Sequence, residues 1–155
     1  MPRTNANFYR KLTALRNEQA LMNIMQKNMD MCREMVADMA PRRTGEYAAS
    51  IQSEIHKTNT GIVGTVFTPM TDLADWLEHG TGIYRDDGTG RQTPWVYPGP
   101  DFMTFYWTQG MRPQPHWELA IKATRAQLKQ DIKELFRWLT IFVNKLKLNW
   151  IQSKV

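Results

Sequence analysis

Apolar residues recur at steps of three and four along the first quarter of the chain, which predicts an amphipathic helix over about residues 8–39. Pro41 follows this stretch and disfavours helical geometry at Ala40, so the helix should end there. A stripe that faces the core is the favoured interpretation, and a methionine-rich binding groove is the alternative. The stripe consists of Leu12, Leu15, Met22, Met25, Met29, Cys32, Val36 and Met39.

The middle of the chain carries the shorter patterns of strands, turns and loops. Two β-rich stretches, near 50–57 and 62–68, flank turn residues at 59–61 and predict a β-hairpin. Residues 71–78 predict a short helix with Thr71 as its N-cap and Gly80 at its end. Residues 82–100 are rich in glycine and proline and are expected to form a long loop. A further strand is expected within 101–107, and a turn at 109–113.

A second apolar stripe predicts a long helix from about Gln114 to Trp150, with Pro115 in its first turn. Beyond Arg137 a second face becomes apolar as well, which is typical of a helix that a partner buries. We therefore expect residues 138–155 to project as a helical extension that mediates assembly. The candidate interface comprises Trp138, Ile141, Phe142, Leu148, Trp150 and Ile151 of this extension, together with Trp95 and Tyr97 of the loop.

These elements predict an α+β fold, in which a small antiparallel sheet is packed by an N-terminal helix and a long C-terminal helix. A length of 155 residues suits a single domain, 1–155, with its core at about 8–137. The single cysteine, Cys32, excludes an internal disulfide. No run of 18 apolar residues is present and residues 1–20 lack an apolar segment, so neither a membrane span nor a secretory signal is expected.

Charge divides the chain into three zones. The net charge is +5, made up of +3 over residues 1–47, −4 over 48–111 and +6 over 112–155. Basic ends around an acidic middle suit a subunit whose faces meet different neighbours, although solvated helices flanking a sheet explain the same pattern. The basic C-terminal helix also leaves open a second function, nucleic-acid binding, which should weaken as salt rises.

No constellation of catalytic residues is visible in the sequence. His56, His79 and His116 are scattered, and neither a nucleophile elbow nor a phosphate-binding loop is present. We therefore expect neither an enzyme nor a metal or other cofactor. An aromatic group in the acidic middle is expected to pack in a core or interface rather than to stack on bases. It comprises Trp95, Tyr97, Phe102, Phe105, Tyr106 and Trp107.

Four segments occur in an order that resembles the neck and tail-completion proteins of long-tailed bacteriophages. They are APRRTGEYAASI at 40–51, LADWLEHGT at 73–81, PGPDFM at 98–103 and TQGMRPQPHW at 108–117. The resemblance covers about residues 36–123, and the chain departs from the family pattern at Trp76 and at His116 and Trp117. The family-motif positions are Pro41, Thr44, Gly45, Ser50, Ile51, Glu78, Gly80, Thr81, Gly110, Pro113 and Pro115.

The resemblance implies a structural protein of the virion at the head–tail joint, made in the cytoplasm of the host bacterium. It implies a ring of six or twelve copies, in either a neck or a tail-terminator position, that contacts neighbouring connector and tail proteins but no membrane. DNA would pass through the ring without sequence-specific binding, and Asp72, Asp75 or Glu78 would repel it if they faced the channel. Glu78 lies beside a turn, where backbone N–H groups or a basic neighbour should satisfy its carboxylate.

Overall fold

The computed structural model describes the backbone of residues 6–152 and the side chains of residues 18–137. It confirms the predicted α+β class, with helices accompanied by two small antiparallel sheets. The order along the chain is α1 (Ala6–Met39), α2 (Glu46–Ala49), β1 (Gln52–Thr58), β2 (Gly61–Phe67), α3 (Thr71–His79), a 3-10 turn (Gly82–Tyr84), β3 (Trp95–Pro98), β4 (Phe105–Thr108) and α4 (Trp117–Gln152). Strand β1 pairs with β2, and β3 pairs with β4.

Two compact units are distinguished by the contacts within the chain. The first contains residues up to 31, residues 54–65 and residues from 123 onward, and the second contains residues 32–53 and 66–122. No helix in the described part of the chain has a stretch long and apolar enough to cross a bilayer. The expectation of a single domain stays a prediction.

In the first unit, α1 packs on the hairpin formed by β1 and β2. Gly64 of β2 lies directly against Met29 and Met25 of α1, so part of the methionine stripe faces the sheet. Buried Asn28 connects α1 to α4, because its side-chain Nδ2 donates to the Asp131 carboxylate at 2.8 Å. This hydrogen bond, together with those from Gln127 and Lys27, holds the pKa of Asp131 below its ordinary value.

The second unit contains the buried apolar cluster of the described residues. The end of α1, α2, α3 and the start of α4 all contribute to it, through Cys32, Val36, Ala40, Tyr47, Ile51, Leu77 and Ala120. Helix α2 was not expected from the sequence. Gly45 precedes α2 with a φ of 83°, in the left-handed region that glycine adopts without steric cost. The glycine thus reverses the chain and lets α2 begin at Glu46.

Three details of the sequence-based helix predictions are wrong. Met39 ends the predicted stripe but is exposed. Thr71 is the first residue of α3 and not its N-cap; Met70 is the N-cap, and Thr68 Oγ1 accepts the hydrogen bond from the Met70 N–H. Pro115 lies before α4, which begins at Trp117, because prolines at 113 and 115 keep the preceding residues out of helical geometry.

The predicted loop over 82–100 is also partly wrong. It contains the 3-10 turn and strand β3, whose register with β4 runs from Trp95 opposite Thr108 to Pro98 opposite Phe105. The strand expected within 101–107 begins only at Phe105. Prolines at 94 and 98 obscure β3 in the sequence, although the aromatic and β-branched residues between them favour a strand.

Candidate functional site

Glu78, at the end of α3, caps the N-terminus of α4 in the second unit. Its Oε2 accepts hydrogen bonds from the backbone N–H groups of His116 at 2.8 Å and Trp117 at 3.0 Å. Its Oε1 accepts one from Glu118 at 2.8 Å. The first N–H groups of a helix have no partner within the helix, and the helix dipole favours a negative charge there. Backbone N–H groups thus surround this carboxylate, one of the two arrangements expected from the sequence.

Burial and hydrogen bonding act in opposite directions on the Glu78 carboxyl. Burial raises its pKa, whereas the three backbone N–H groups and nearby His116 lower it, and the net result is a pKa below the ordinary value. The Glu78 side chain is only 12% exposed. Three backbone N–H groups thus occupy the carboxylate of Glu78, and the expectation that Glu78 faces a channel stays a prediction.

His116 and Tyr47 extend this cap into a buried polar network. His116 Nε2 lies 2.8 Å from the Tyr47 hydroxyl, and Trp117 Nε1 donates to the same hydroxyl at 2.8 Å. His116 Nδ1 lies 2.8 Å from the carbonyl oxygen of Gln114 and 3.3 Å from Glu78 Oε2. Because both of these partners are acceptors, Nδ1 carries a hydrogen that points towards them. We call Tyr47, Glu78, His116 and Trp117 the capping network.

Tyr47 is buried within the capping network. Burial raises the pKa of its hydroxyl, the Trp117 hydrogen bond lowers it, and the negative charge of Glu78 raises it further, with a net increase. The ring of Tyr47 also meets that of His116 edge to face, with centroids 5.6 Å apart. Every side-chain nitrogen and oxygen atom of the capping network has a hydrogen-bond partner, as a buried polar network requires.

The second and fourth motif segments join next to this network. Thr81 N–H donates to the Met111 carbonyl at 2.9 Å, and Met111 N–H donates to Thr81 Oγ1 at 2.9 Å. Gly80 has a φ of 77°, and a Cβ at this position would come within 2.7 Å of the Met111 carbonyl oxygen and 2.8 Å of Pro113. A side chain would strain the backbone and open this junction. Gly110 lies against the carbonyl of Thr81 on the same junction.

The first motif segment is held by its own hydrogen bonds. Thr44 Oγ1 accepts from Glu46 N–H at 3.4 Å, and Ser50 Oγ donates to the Tyr47 carbonyl at 2.7 Å. Ser50 also exchanges a hydrogen bond of 2.7 Å with Thr68, while Ile51 is buried in the core. Of the remaining motif positions, Pro41 is half-buried and Pro115 is exposed. The segment therefore presents Tyr47 to the capping network.

Arg85 links an acidic residue of α3 to one of the loop that follows it. It pairs with Asp75 at 2.7 Å and with Asp87 at 3.0 Å, and His79 pairs with Asp86 at 3.0 Å. Hydrogen bonds from Thr89, followed by those from Arg85, lower the pKa of Asp87 to about 2. Among the described side chains, no group of three His, Cys, Asp or Glu residues is arranged to hold a metal ion. The acidic charges here fasten the loop that follows α3.

Strands β3 and β4 expose most of the aromatic group of the sequence. Tyr97 pairs with Tyr106 across the strands, with ring centroids 5.7 Å apart, and Trp95 is half-buried beneath the guanidinium of Arg91. The expectation that this aromatic group packs in a core is therefore wrong. The expectation that it packs in an interface stays a prediction. The exposed large apolar side chains of the hairpin are Val96, Tyr97, Phe102, Met103, Phe105, Tyr106 and Trp107.

The candidate interface on the C-terminal extension falls outside the described side chains. Trp138, Ile141, Phe142, Leu148, Trp150 and Ile151 all belong to α4, whose backbone is helical to Gln152. Their assignment as assembly residues therefore stays a prediction.

Sequence reasoning missed the capping network as a unit. Tyr47, His116 and Trp117 stand in the motif segments, but the hydrogen bonds among them depend on how those segments meet. One signal was available: His116 follows Pro-x-Pro and opens an amphipathic helix, a position where a buried polar ring needs a partner. The exposed pair Phe102 and Met103 was also missed as a distinct feature, although Asp-Phe-Met-Thr after Pro-Gly-Pro is typical of a tight turn.

Comparison of the chain with protein-family models, with curated proteins and with solved structures found no match.

Proposed function

We propose that the chain is a structural subunit of a phage virion, without enzymatic activity, that assembles as a ring at the head–tail joint. It would serve as a neck or tail-completion protein that connects or terminates the tail tube around the DNA channel. The proposal starts from the four ordered motif segments, because their resemblance to phage neck and tail-completion proteins is what suggests this family. Its partners would be further copies of itself and the adjoining connector and tail proteins.

The exposed hairpin of β3 and β4 is the observation that carries the assembly role. Phe105 and Trp107 are 65% and 64% exposed on β4, and Val96 is 58% exposed on the paired strand. Contiguous apolar surface of this kind on a folded protein is typical of an interaction site. Aromatic residues are also enriched in the cores of protein interfaces. A subunit that functions only in an assembly accounts for this surface.

The joined motif segments support the proposal in a second way. Glu78 and Gly80 of the second segment contact residues of the fourth, and the first segment supplies Tyr47 to the same place. The motif residues therefore have a common structural task, which is to fix α3 at the start of α4. If the segments resembled the family only as separate local turns, there would be no reason for them to contact one another in the folded chain.

The mass of the purified protein in solution, measured by light scattering at two salt concentrations, tests this function. A parallel sample contains a short DNA duplex. A ring of six or twelve copies that does not bind the duplex is the expected result. A monomer or dimer that binds DNA at low salt and releases it at high salt would contradict the proposal and favour a nucleic-acid-binding protein that uses α4. A monomer that binds no DNA would contradict the self-assembled ring.

A further inference from the structure

The turn that joins β3 to β4, residues 99–104, is held rigidly by hydrogen bonds; we call it the tip. Gly99 N–H donates to the Thr104 carbonyl at 2.6 Å, and Phe102 N–H donates to the Gly99 carbonyl at 3.0 Å. Asp101 Oδ1 accepts from the N–H groups of Met103 at 3.1 Å and Thr104 at 2.9 Å. Asp101 Oδ2 accepts from the Thr104 hydroxyl at 2.7 Å. A preorganised turn loses little conformational entropy when it binds.

The tip presents two large apolar side chains to solvent. Phe102 is 78% exposed and Met103 is 88% exposed, the highest values among the exposed large apolar residues of the described chain. Phe102 also has a φ of 54°, a left-handed conformation that is unfavourable for a bulky residue. Such strain persists only where surrounding structure enforces it, and it is concentrated at functional sites. The hydrogen bonds of the tip thus hold the strained backbone at Phe102 in a conformation that leaves Phe102 and Met103 exposed.

An apolar groove lies along the side of the same hairpin, from Tyr97 to the end away from the tip. It has a volume of about 750 Å³ and lies between α3 and the hairpin, lined by Leu73, Trp76, Trp95, Tyr97 and Met111, with Arg91 beside them. A cavity of this size accommodates large apolar groups. Trp76 is 49% exposed in it, so the α3 side of the groove is open to solvent. We refer to this feature as the groove.

We propose that the tip of one copy docks into the groove of a second copy, with Phe102 and Met103 inserted between Trp76 and Trp95. This inference rests on the proposed function, because it specifies the contact that would build the ring. The tip cannot enter its own groove, since Trp95 and Tyr97 of the groove belong to β3, which is paired with β4 along its whole length and runs straight into the tip about 13 Å beyond Trp95. The contact is therefore between molecules, and it joins two different surfaces of the chain.

Charge complementarity favours a second copy as the occupant. Asp101 lies beside the two apolar residues of the tip, and hydrogen bonds from Thr104 hold its pKa below the ordinary value, so it carries a negative charge at neutral pH. Arg91 brings the opposite charge to the groove, where its guanidinium lies 5.5 Å from the centroid of the Trp95 ring. A docked tip would bring Asp101 towards Arg91. The chain thus contains an apolar projection with one negative charge and an apolar groove lined by one arginine.

A contact between unlike surfaces leaves one free tip and one free groove after each addition. Head-to-tail contacts of this type close into a ring when the rotation between subunits permits it. The tip alone is smaller than a typical stable interface, which buries about 1,600 Å² in total. The exposed Phe105 and Trp107 of β4 are available to extend the buried area along the hairpin.

Two variants and their mixture test the contact. The tip variant Phe102→Ser with Met103→Ser retains the groove, and the groove variant Trp76→Glu retains the tip. Either change should raise the dissociation constant of the contact about tenfold to a hundredfold, because a buried large apolar side chain contributes about that much. Leu119→Ser is the matched control, since Leu119 is 51% exposed and lies outside both surfaces. Circular dichroism verifies that every variant is folded.

Light scattering is expected to show assemblies for the wild type and for Leu119→Ser, and monomers for the tip variant and the groove variant separately. An equimolar mixture of these two variants should form dimers and nothing larger, because only one intact tip–groove pair is available. A wild-type ring whose mass both variants leave unchanged would overturn the contact while leaving the proposed ring intact. A mixture that stays monomeric would likewise overturn it. A wild-type protein that is monomeric at every concentration would overturn both.

Discussion

Removal of the Glu78 carboxylate should destabilise the protein strongly, because one side chain satisfies three backbone donors at the start of α4. The N–H groups of His116, Trp117 and Glu118 lie 2.8–3.0 Å from its oxygens. A hydrogen bond to a charged group contributes about 1.5–3 kcal/mol, and loss of a helix cap costs about 0.5–2 kcal/mol. These figures describe overlapping parts of the same interaction. We expect Glu78→Ala to lower the free energy of unfolding by about 3 kcal/mol.

Glu78→Gln separates charge from shape at the same position. The amide keeps one acceptor oxygen, but its NH₂ group replaces the second oxygen. Because NH₂ is itself a donor, it cannot accept hydrogen bonds from the backbone N–H groups at that position. We expect Glu78→Gln to lower the free energy of unfolding by about 2 kcal/mol.

The pH dependence of stability provides a second measurement of the Glu78 cap. Because the pKa of Glu78 is lower in the folded state, its contribution is complete above the ordinary value of 4.5 and disappears as pH falls through the folded pKa. Glu78→Gln should flatten that part of the stability profile.

Urea unfolding followed by tryptophan fluorescence measures these changes, at one fixed protein concentration because assembly adds to apparent stability. Glu118→Gln is the matched control. It removes the same charge one position into α4, but its side chain is 62% exposed and pairs only with Lys122 among the ion pairs of the described residues. An exposed pair of this kind contributes less than about 1 kcal/mol. If Glu78→Gln and Glu118→Gln lowered the unfolding free energy equally, the Glu78 cap would contribute no more to stability than an exposed ion pair.

Three further substitutions test other parts of the structure. Tyr47→Phe should lower the unfolding free energy by about 2 kcal/mol, because His116 and Trp117 lose their shared partner; a loss within error of zero in urea titration would contradict the network. Gly80→Ala should lower the melting temperature by several degrees, because the new side chain would add about 1–3 kcal/mol of backbone strain and would clash with the Met111 carbonyl oxygen. An unchanged melting temperature would refute that geometry. Asn28→Ala should cost about 2 kcal/mol in urea unfolding, whereas exposed Asn23→Ala should cost little.

The sequence predicted best those elements whose residues carry a local signal. The end of α1 at Met39 was predicted from Pro41, and the end of α3 before Gly80 from the glycine itself. The hairpin of β1 and β2 followed from turn residues between two β-rich stretches. Each of these signals acts within a few residues, so it can be interpreted without knowledge of the tertiary structure.

Features that depend on distant residues were missed or placed wrongly. Strand β3 needs β4 as its partner, and the glycine and proline around it indicate only a loop. The start of α4 at Trp117 is fixed by Glu78, which lies about forty positions earlier in the sequence. Thr71 has a residue type suited to an N-cap, but Thr68 provides the oxygen near that helix start. Local propensity identifies candidates for such positions, and tertiary contacts select among them.

Helix α3 connects the stability of the second unit with its proposed assembly role. Glu78 faces the start of α4, whereas Trp76 lines the groove, and both Leu73 and Leu77 contact the core as well as the groove. Trp76 and Glu78 are two positions apart and point in different directions from the helix, so docking and capping depend on different side chains of the same short element. Substitution at Trp76 can therefore remove a docking surface while the cap persists. Substitution at Glu78 weakens the attachment that holds that surface in place, so its effect on assembly should follow its effect on stability.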